Sequence, residues 1–382
     1  MQADGTRALK LTLTACLIVR NEEQYLSACL SEITPFTDSI VVVDTGSTDR
    51  SRQIAREHGA LLIEEPWRDD FSQARNLALD HARGDWILYI DADERLQARP
   101  GDFDCLNDPG AVAATVGFRA SAQLTRYREH RLFRNRPDIR FRGVIHETVT
   151  PDIDRIVQRE QLQIIHTSIG IEHLGYEGDL SHKHRRNHGM LLKAVRDDPG
   201  RIYLWHALGE CELGLGHAFQ AEEAWRTALK QVRQQEDKAG NALIYTDLIR
   251  LHFAATETAL DDIAEIVSEA ARLHGSDPLV KWWQARYFIS VGEIPAARVL
   301  LEPLLRANND QAMDSPLAYD RRLFGSLSWS LLGNCDLAEQ AWDDAFMNFH
   351  RALEADPGNT EVAVKMALAR AKSGRKTSRD RI

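Results

Sequence analysis

Two aspartates spaced i, i+2, Asp91 and Asp93, follow the apolar run Trp86-Ile87-Leu88-Tyr89-Ile90. Carboxylates so placed at a strand end can both reach one divalent cation. A hard ion such as Mg²⁺ or Mn²⁺ takes oxygen ligands, usually one or two carboxylates completed by phosphate oxygens. Acids close two further apolar runs: Asp44 comes after Ile40-Val41-Val42-Val43, and Glu22 and Glu23 come shortly after Val19. Carboxylates gathered at one edge repel one another unless a cation or a donor-rich ligand lies between them. Asp44 is placed to accept hydrogen bonds from a nucleobase or ribose. The stretch it opens, Asp44-Thr45-Gly46-Ser47-Thr48-Asp49, has a glycine for a tight turn. Ser47, Thr48 or Asp49 can cap a following helix, whose start favours an anion. The Gly-Lys-Ser/Thr element of a Walker phosphate loop is missing.

Such acids need elements to carry them. By apolar spacing, Leu13–Val19, Ile40–Val43, Leu61–Ile63 and Trp86–Ile90 read as strands, and Gln24–Ile33, Ser47–His58 and Phe71–Ala82 as helices. Continuous apolar strands alternating with helices indicate an α/β domain with a largely parallel sheet covered on both faces. The strand ends of such a sheet lie along one edge, where open α/β folds bind their ligands. A chain of 382 residues suits two or three domains, and 43% apolar with 27% charged content lets each bury a core. Lys and Arg total 47 against 57 Asp and Glu, a net charge of −10, which argues against nucleic acid as a partner. Five cysteines, at 16, 29, 105, 211 and 335, form no metal knuckle and suit a reducing compartment. No apolar run approaches the ~20 residues of a membrane-spanning helix. Leu11–Val19 reads as a buried strand rather than a secretion signal, so a cytoplasmic protein without a transmembrane segment is expected.

Four segments, Ala15–Glu23 (ACLIVRNEE), Ile40–Asp49 (IVVVDTGSTD), Asp70–Asn76 (DFSQARN) and Asp85–Glu94 (DWILYIDADE), resemble in order and spacing the inverting family-two glycosyltransferases of GT-A fold. The resemblance continues through Arg131–Asn135, Gly143–Glu147 and His173–Tyr176, covering roughly residues 12 to 190. It is nearest to a subgroup joined to tetratricopeptide repeats, which includes enzymes that glycosylate bacteriocin peptides and is related to lipopolysaccharide-core glucosyltransferases. The resemblance implies a nucleotide-sugar donor, commonly UDP-linked, and a divalent metal, Mg²⁺ or Mn²⁺. Carried over by position, Glu22 and Asp44 hold the nucleoside, with Ser47 in the same loop. Arg75 approaches the nucleotide or its phosphates, and Asp91 and Asp93 match the metal–diphosphate motif. Glu147 is the choice for general base, with Asp152 or Asp154, or else His146, next in line. His146 orients the base or the acceptor, and His173 completes the metal site or contacts the donor.

From about Arg201 alanine- and leucine-rich helices take over. Trp205, Leu208, Gly209, Gly216, Ala221, Trp225 and Ala228 fit the tetratricopeptide signature, and Trp329, Leu332, Gly333, Ala345, Phe349, Ala352 and Pro357 fit it again. A looser unit begins near Pro278, Ala239–Gly275 must supply another helical pair, and Thr360–Ser373 reads as a terminal helix. The expected organisation is a GT-A, Rossmann-like domain over residues 11–185 and an all-α tetratricopeptide-repeat solenoid over 196–374. Helix-pair stacks offer a concave surface for peptides or partner proteins, or serve assembly as a homodimer. A peptide or protein acceptor is therefore expected. A saccharide or lipid-linked acceptor is the alternative, and a repeat scaffold with an inactive transferase domain is a further one. Seven arginines between Arg126 and Arg142 are interleaved with Tyr127, Phe133 and Phe141. RNA suits such a mixture, but the acidic balance favours a local role, in binding phosphate or an acidic acceptor or as surface charge.

Overall fold

The computed structural model describes residues 11–174, 181–235, 238–254, 260–307 and 317–379. Gly175 and Tyr176 of the His173–Tyr176 string lie outside them. The chain divides into two compact units: residues 1–121 with 126–198, and residues 122–125 with 199–382.

The first unit runs β1 (Leu13–Val19), α1 (Leu26–Ile33), β2 (Ser39–Asp44), α2 (Ser51–Glu57), β3 (Leu61–Glu64), α3 (Phe71–His81), β4 (Trp86–Tyr89) and β5 (Glu94–Gln97). It continues with β6 (Ala111–Arg119), β7 (Tyr127–Arg134), α4 (Thr150–Glu160), β8 (Gln163–His173) and α5 (Ser181–Asp197). The strands form one eight-stranded sheet in the order β3-β2-β1-β4-β7-β6-β8-β5. β3, β2, β1 and β4 are parallel, as the continuous apolar runs require. Beyond β4 the sheet is mixed: β7 is antiparallel to β4 and β6, β8 parallel to β6, and β5 antiparallel to β8. β2 shows why its run is apolar throughout. Ile40 and Val42 join a core with Leu26 and Leu30 of α1 and Ile54 of α2, while Val41 and Val43 join one with Ala74 and Ala78 of α3 and Ile153 of α4.

α2 begins at Ser51, four residues later than the spacing predicts. The intervening backbone is used by the loop after β1. Thr48 N–H donates to Asn21 Oδ1 (2.7 Å), Arg50 N–H donates to Glu23 Oε2 (3.0 Å), and Ser47 Oγ accepts from Asn21 N–H (2.9 Å). Internal partners also engage all seven arginines of 126–142. Arg126 donates to Glu172, Arg128 to the Thr167 carbonyl, Arg131 to Glu94 and Arg134 to the Ala111 carbonyl. Arg136 donates to Asp138, Arg140 to Asp80 and Arg142 to Asp152.

The second unit is helical: α6 (Ile202–Gly214), α7 (Ala218–Val232), α8 (Ala242–Ala254), α9 (Leu260–His274), α10 (Pro278–Ser290), α11 (Ile294–Arg306), α12 (Ser326–Ala338), α13 (Trp342–Ala355) and α14 (Thr360–Arg379). Its helices interlock through glycines. A Cβ on Gly209 of α6 would overlap the Trp225 indole of α7, and one on Gly333 of α12 would overlap the Phe349 ring of α13. Both aromatic side chains are fully buried. Residues 122–125, which follow β6 in the chain, belong to this unit. Thr125 N–H donates to the Tyr319 carbonyl (2.8 Å), and Arg321 N–H donates to the Gln123 carbonyl (2.8 Å). Among the described residues no helix is long and apolar enough to cross a membrane.

Candidate active site

The acids singled out in the sequence sit at the C-terminal ends of three parallel strands. Asp44 ends β2 and pairs in register with Val19, the last residue of β1. Glu22 lies in the loop after β1, and Asp91 and Asp93 lie in the turn between β4 and β5. Asp44 is 1% exposed, and its Oδ1 accepts from Gly46 N–H (3.1 Å) and Ser47 N–H (3.0 Å). Its Oδ2 is buried without a hydrogen-bond partner. A buried acceptor left in that state costs about 1–3 kcal/mol, so it suits a ligand N–H or O–H. Ser47 is buried beside it.

Burial, and then the charges of Asp93 and Asp91, push the Glu22 carboxyl up to about 7, partly offset by Lys183 of α5. The charges of Asp91 and Asp93 thus bear on Glu22 at this edge, a load that a divalent cation would relieve. Asp93 Oδ2 lies 3.2 Å from His173 Nε2. The pairing of β5 with β8 makes this contact: Glu94 stands opposite His173, and Leu174 N–H donates to the Asp93 carbonyl (2.8 Å). Burial raises the Asp93 pKa, but the His173 hydrogen bond and charge outweigh it and hold the group below its usual value.

Asp91 is held otherwise. Arg75 of α3 donates from Nη2 to both its oxygens (3.0 and 3.2 Å) and from Nε to Glu147 Oε1 (2.5 Å). The guanidinium is buried, with its carbon 5.1 Å from the Tyr89 ring centre and 5.5 Å from that of Phe141. Asp93 and His173 therefore fit a two-residue metal site to be completed by phosphate oxygens, while Asp91 in this arrangement is shared with an arginine. Among the described residues, the trio of metal-ligating type whose atoms lie within 4.8 Å of one another is His206, Glu210 and Asp247 of the helical unit.

Glu147 sits in a hairpin closed by Arg142 and Thr148, which exchange backbone hydrogen bonds (3.0 and 3.1 Å). Gly143 at φ 101° and His146 at φ 51° turn it, and the second value is uncommon for a residue with a side chain. Asp70 caps α3 by accepting from Gln73 N–H (3.0 Å). Phe71 N–H then donates to the Val144 carbonyl (2.9 Å), and Asn76 exchanges two bonds of 2.9 Å with the Phe141 backbone. The Asp70–Asn76 segment is thus a dock for the Glu147 hairpin. Asp152, held in reserve as a base, is 0% exposed and bound by Arg142 and Arg155. Asp154 is exposed.

Sequence reasoning missed the support beneath the Asp91–Asp93 turn. Glu94 is 1% exposed, accepts from Asp91 N–H (2.9 Å), and takes both terminal nitrogens of buried Arg131 (2.8 and 3.2 Å). The Arg131 guanidinium lies 4.6 Å from the centres of both Tyr89 and Phe118. Its signal lay in the acid run Asp91–Glu94 and the arginine run, which the sequence does not join.

Known proteins resemble the chain in part. Residues 14–100 match the family described as Glycosyl transferase family 2. A TPR repeat-containing protein of Synechococcus elongatus is 35% identical over 259 residues, 65% of this chain and 64% of that one. The SPbeta prophage-derived glycosyltransferase SunS of Bacillus subtilis is 27% identical over 213 residues, 49% of this chain and 46% of its own. The chain thus spans less than two thirds of the length of either relative. Among solved structures, the mannosyltransferase PcManGT of Pyrobaculum calidifontis, in complex with GDP-Man and Mn²⁺, is 19% identical with a TM-score of 0.41, over 76% of this chain and 87% of that one.

Proposed function

We propose that the chain is a metal-dependent inverting glycosyltransferase that uses a nucleotide-sugar, a UDP-sugar first, as donor. The observation that carries this is the crowding of Glu22, Asp91 and Asp93 at the C-terminal edge of β1 and β4, with Glu22 pushed up to about 7. Asp44 offers its unpartnered Oδ2 to the nucleoside, and Glu22 and Ser47 line the same edge. Asp93 and His173 hold Mg²⁺ or Mn²⁺, with Asp91 beside them; the ion, when bound, supplies positive charge to the departing diphosphate. Glu147 accepts the proton of the acceptor hydroxyl or thiol as that atom attacks the anomeric carbon and the bond to the diphosphate oxygen breaks. Its neighbour His146 orients the base or the acceptor. A single displacement through an oxocarbenium-like transition state inverts the anomeric centre.

The acceptor in this reading is a polypeptide presented by the helical unit, which takes up residues 199–382. Helix-pair arrays offer extended surfaces to such partners. Calorimetry with UDP and Mn²⁺, with and without chelator, tests the metal. Binding should need the ion and weaken in Asp93→Ala; equal affinity in both conditions would remove the metal from the assignment. A screen of UDP-sugars for slow metal-dependent hydrolysis tests the donor without an acceptor. Substituting exposed residues of the helical unit should then lower transfer to the polypeptide and spare hydrolysis. A loss of neither would point to a saccharide or lipid-linked acceptor.

A further inference from the structure

Arg75 was expected to approach the nucleotide or its phosphates, yet two of its three guanidinium nitrogens are engaged by carboxylates of the protein. The residue is 8% exposed. It lines one small cavity with Cys16, Leu17, Ile18 and Ala78, and its guanidinium lies over Tyr89 and Phe141. Its Nε is given to Glu147 and its Nη2 to Asp91. These two carboxylates come from distant parts of the chain: Asp91 from the turn after β4, and Glu147 from the hairpin before α4. Resting on the function proposed above, we infer that Arg75 is a positioning residue, which ties the base Glu147 to the donor-side carboxylate Asp91 and so fixes the distance between the two halves of the reaction.

Three features make one guanidinium suited to this. It is planar and offers donors in a fixed fork, so it holds two carboxylates at a set angle, where an ammonium is a point charge that favours one at a time. Aromatic rings over its carbon, and burial, keep the fork from turning. Its own helix is the dock for the hairpin, through Phe71, Asn76 and the Asp70 cap, so the guanidinium adds a side-chain bond that reaches Glu147 itself. In a low-dielectric setting such charge-assisted bonds are short and strong.

The experiment uses the full chain with R75K, E147Q and the double variant. Hydrolysis of the UDP-sugar is followed in each, beside calorimetry with UDP and Mn²⁺. R75K should lower turnover ~10–100-fold, the scale of a misplaced reacting group. UDP affinity should stay within ~3-fold, because in this reading Arg75 does not touch the donor. Arg75 acts through Glu147, so the double variant should fall no more than ~3-fold below E147Q alone; independent roles would multiply instead. Wild-type turnover in R75K, or losses that multiply, would overturn the inference. A chain that neither binds UDP nor hydrolyses any UDP-sugar would refute the proposed function and leave the link itself readable by hydrogen exchange. The Thr148 amide should exchange faster in R75K, and also in E147Q should R75K not fold, while the amides of α3 keep their protection. Unchanged exchange at Thr148 would show that the guanidinium holds nothing in place.

Discussion

The two units differ in what underlies their defining contacts, although the helical unit also buries charge, at His206 and Asp336. Beneath the site edge of the α/β unit lie two buried arginines, Arg75 and Arg131, each paired with a carboxylate of the Asp91–Glu94 turn and each over the ring of Tyr89. The helical unit buries Trp225 and Phe349 against glycines. Interlocking by shape needs no desolvated charge and imposes no chemistry. Burying ion pairs costs desolvation that the pairing only partly repays, so it is weak evidence for stability and is better understood as fixing one arrangement. In the first unit that arrangement is the turn carrying Asp91 and Asp93; in the second it is the stacking of one helix pair on the next.

The contrast can be broken at its strongest point. Arg131→Met would leave the Glu94 carboxylate buried and unpaired, and should cost ~3–5 kcal/mol in chemical denaturation of the α/β unit. Burial already pushes the Glu94 carboxyl up to about 7, so a loss under ~1 kcal/mol would show that protonation, water or movement relieves the charge, and that the pair fixes little. Glu147→Gln comes next and sharpens the other side of the comparison. It should reduce transfer at least ~100-fold, the usual scale of general-base catalysis, with UDP binding retained. Near-normal turnover would move the base role elsewhere. Gly209→Ala probes the helical unit. The methyl group improves helix propensity by ~1 kcal/mol, but it meets the Trp225 indole, and overpacking of this kind costs ~1–3 kcal/mol. A net loss in melting of the helical unit is expected, whereas a gain would mean that the interlock is loose.

The smallest effect concerns the charged core contact of the helical unit. His206 Nε2 lies 2.8 Å from Asp247 Oδ2. Burial pulls the His206 pKa down, but this bond and the charges of Glu210 and Asp247 outweigh it, so the folded value is raised. A histidine raised on folding stabilises fully below its unfolded pKa and loses that contribution as pH rises through the folded value. Wild type should therefore exceed Asp247→Asn in melting temperature by most near pH 6, with the gap closing towards pH 9. A gap independent of pH would show that the contact does not depend on the imidazolium.

The same contrast explains what was legible in the sequence. β1, β2 and β4 could be read because each is largely buried on both faces, which leaves runs without a polar break, as in Ile40–Val43; β3, the edge strand, is half-exposed and was marked only by its short run Leu61–Ile63. α3 was marked at its start by Asp70, the residue that caps it. β7 was obscured because Arg128, Arg131 and Arg134 make Tyr127–Arg134 read as a charged surface. Only the pairing of Arg131 with Glu94, 37 residues away, shows why such a strand can be buried. Candidate residues at the site came from motif resemblance, but not their pairings. His173 reaches Asp93 through the register of β5 on β8, and Arg75 reaches Glu147 across 72 residues. Neither follows from local spacing.

Residues 122–125 bear on how such a chain can be inherited. Four residues between β6 and β7 count with the helical unit, where Tyr319 and Arg321 meet their backbone. A gene recombined at one point near codon 199 would bring new helices but keep the old tetrapeptide, leaving the Thr125 amide and the Gln123 carbonyl without the partners they were matched to. Exchange of the helical part between relatives should therefore succeed when these four codons travel with it.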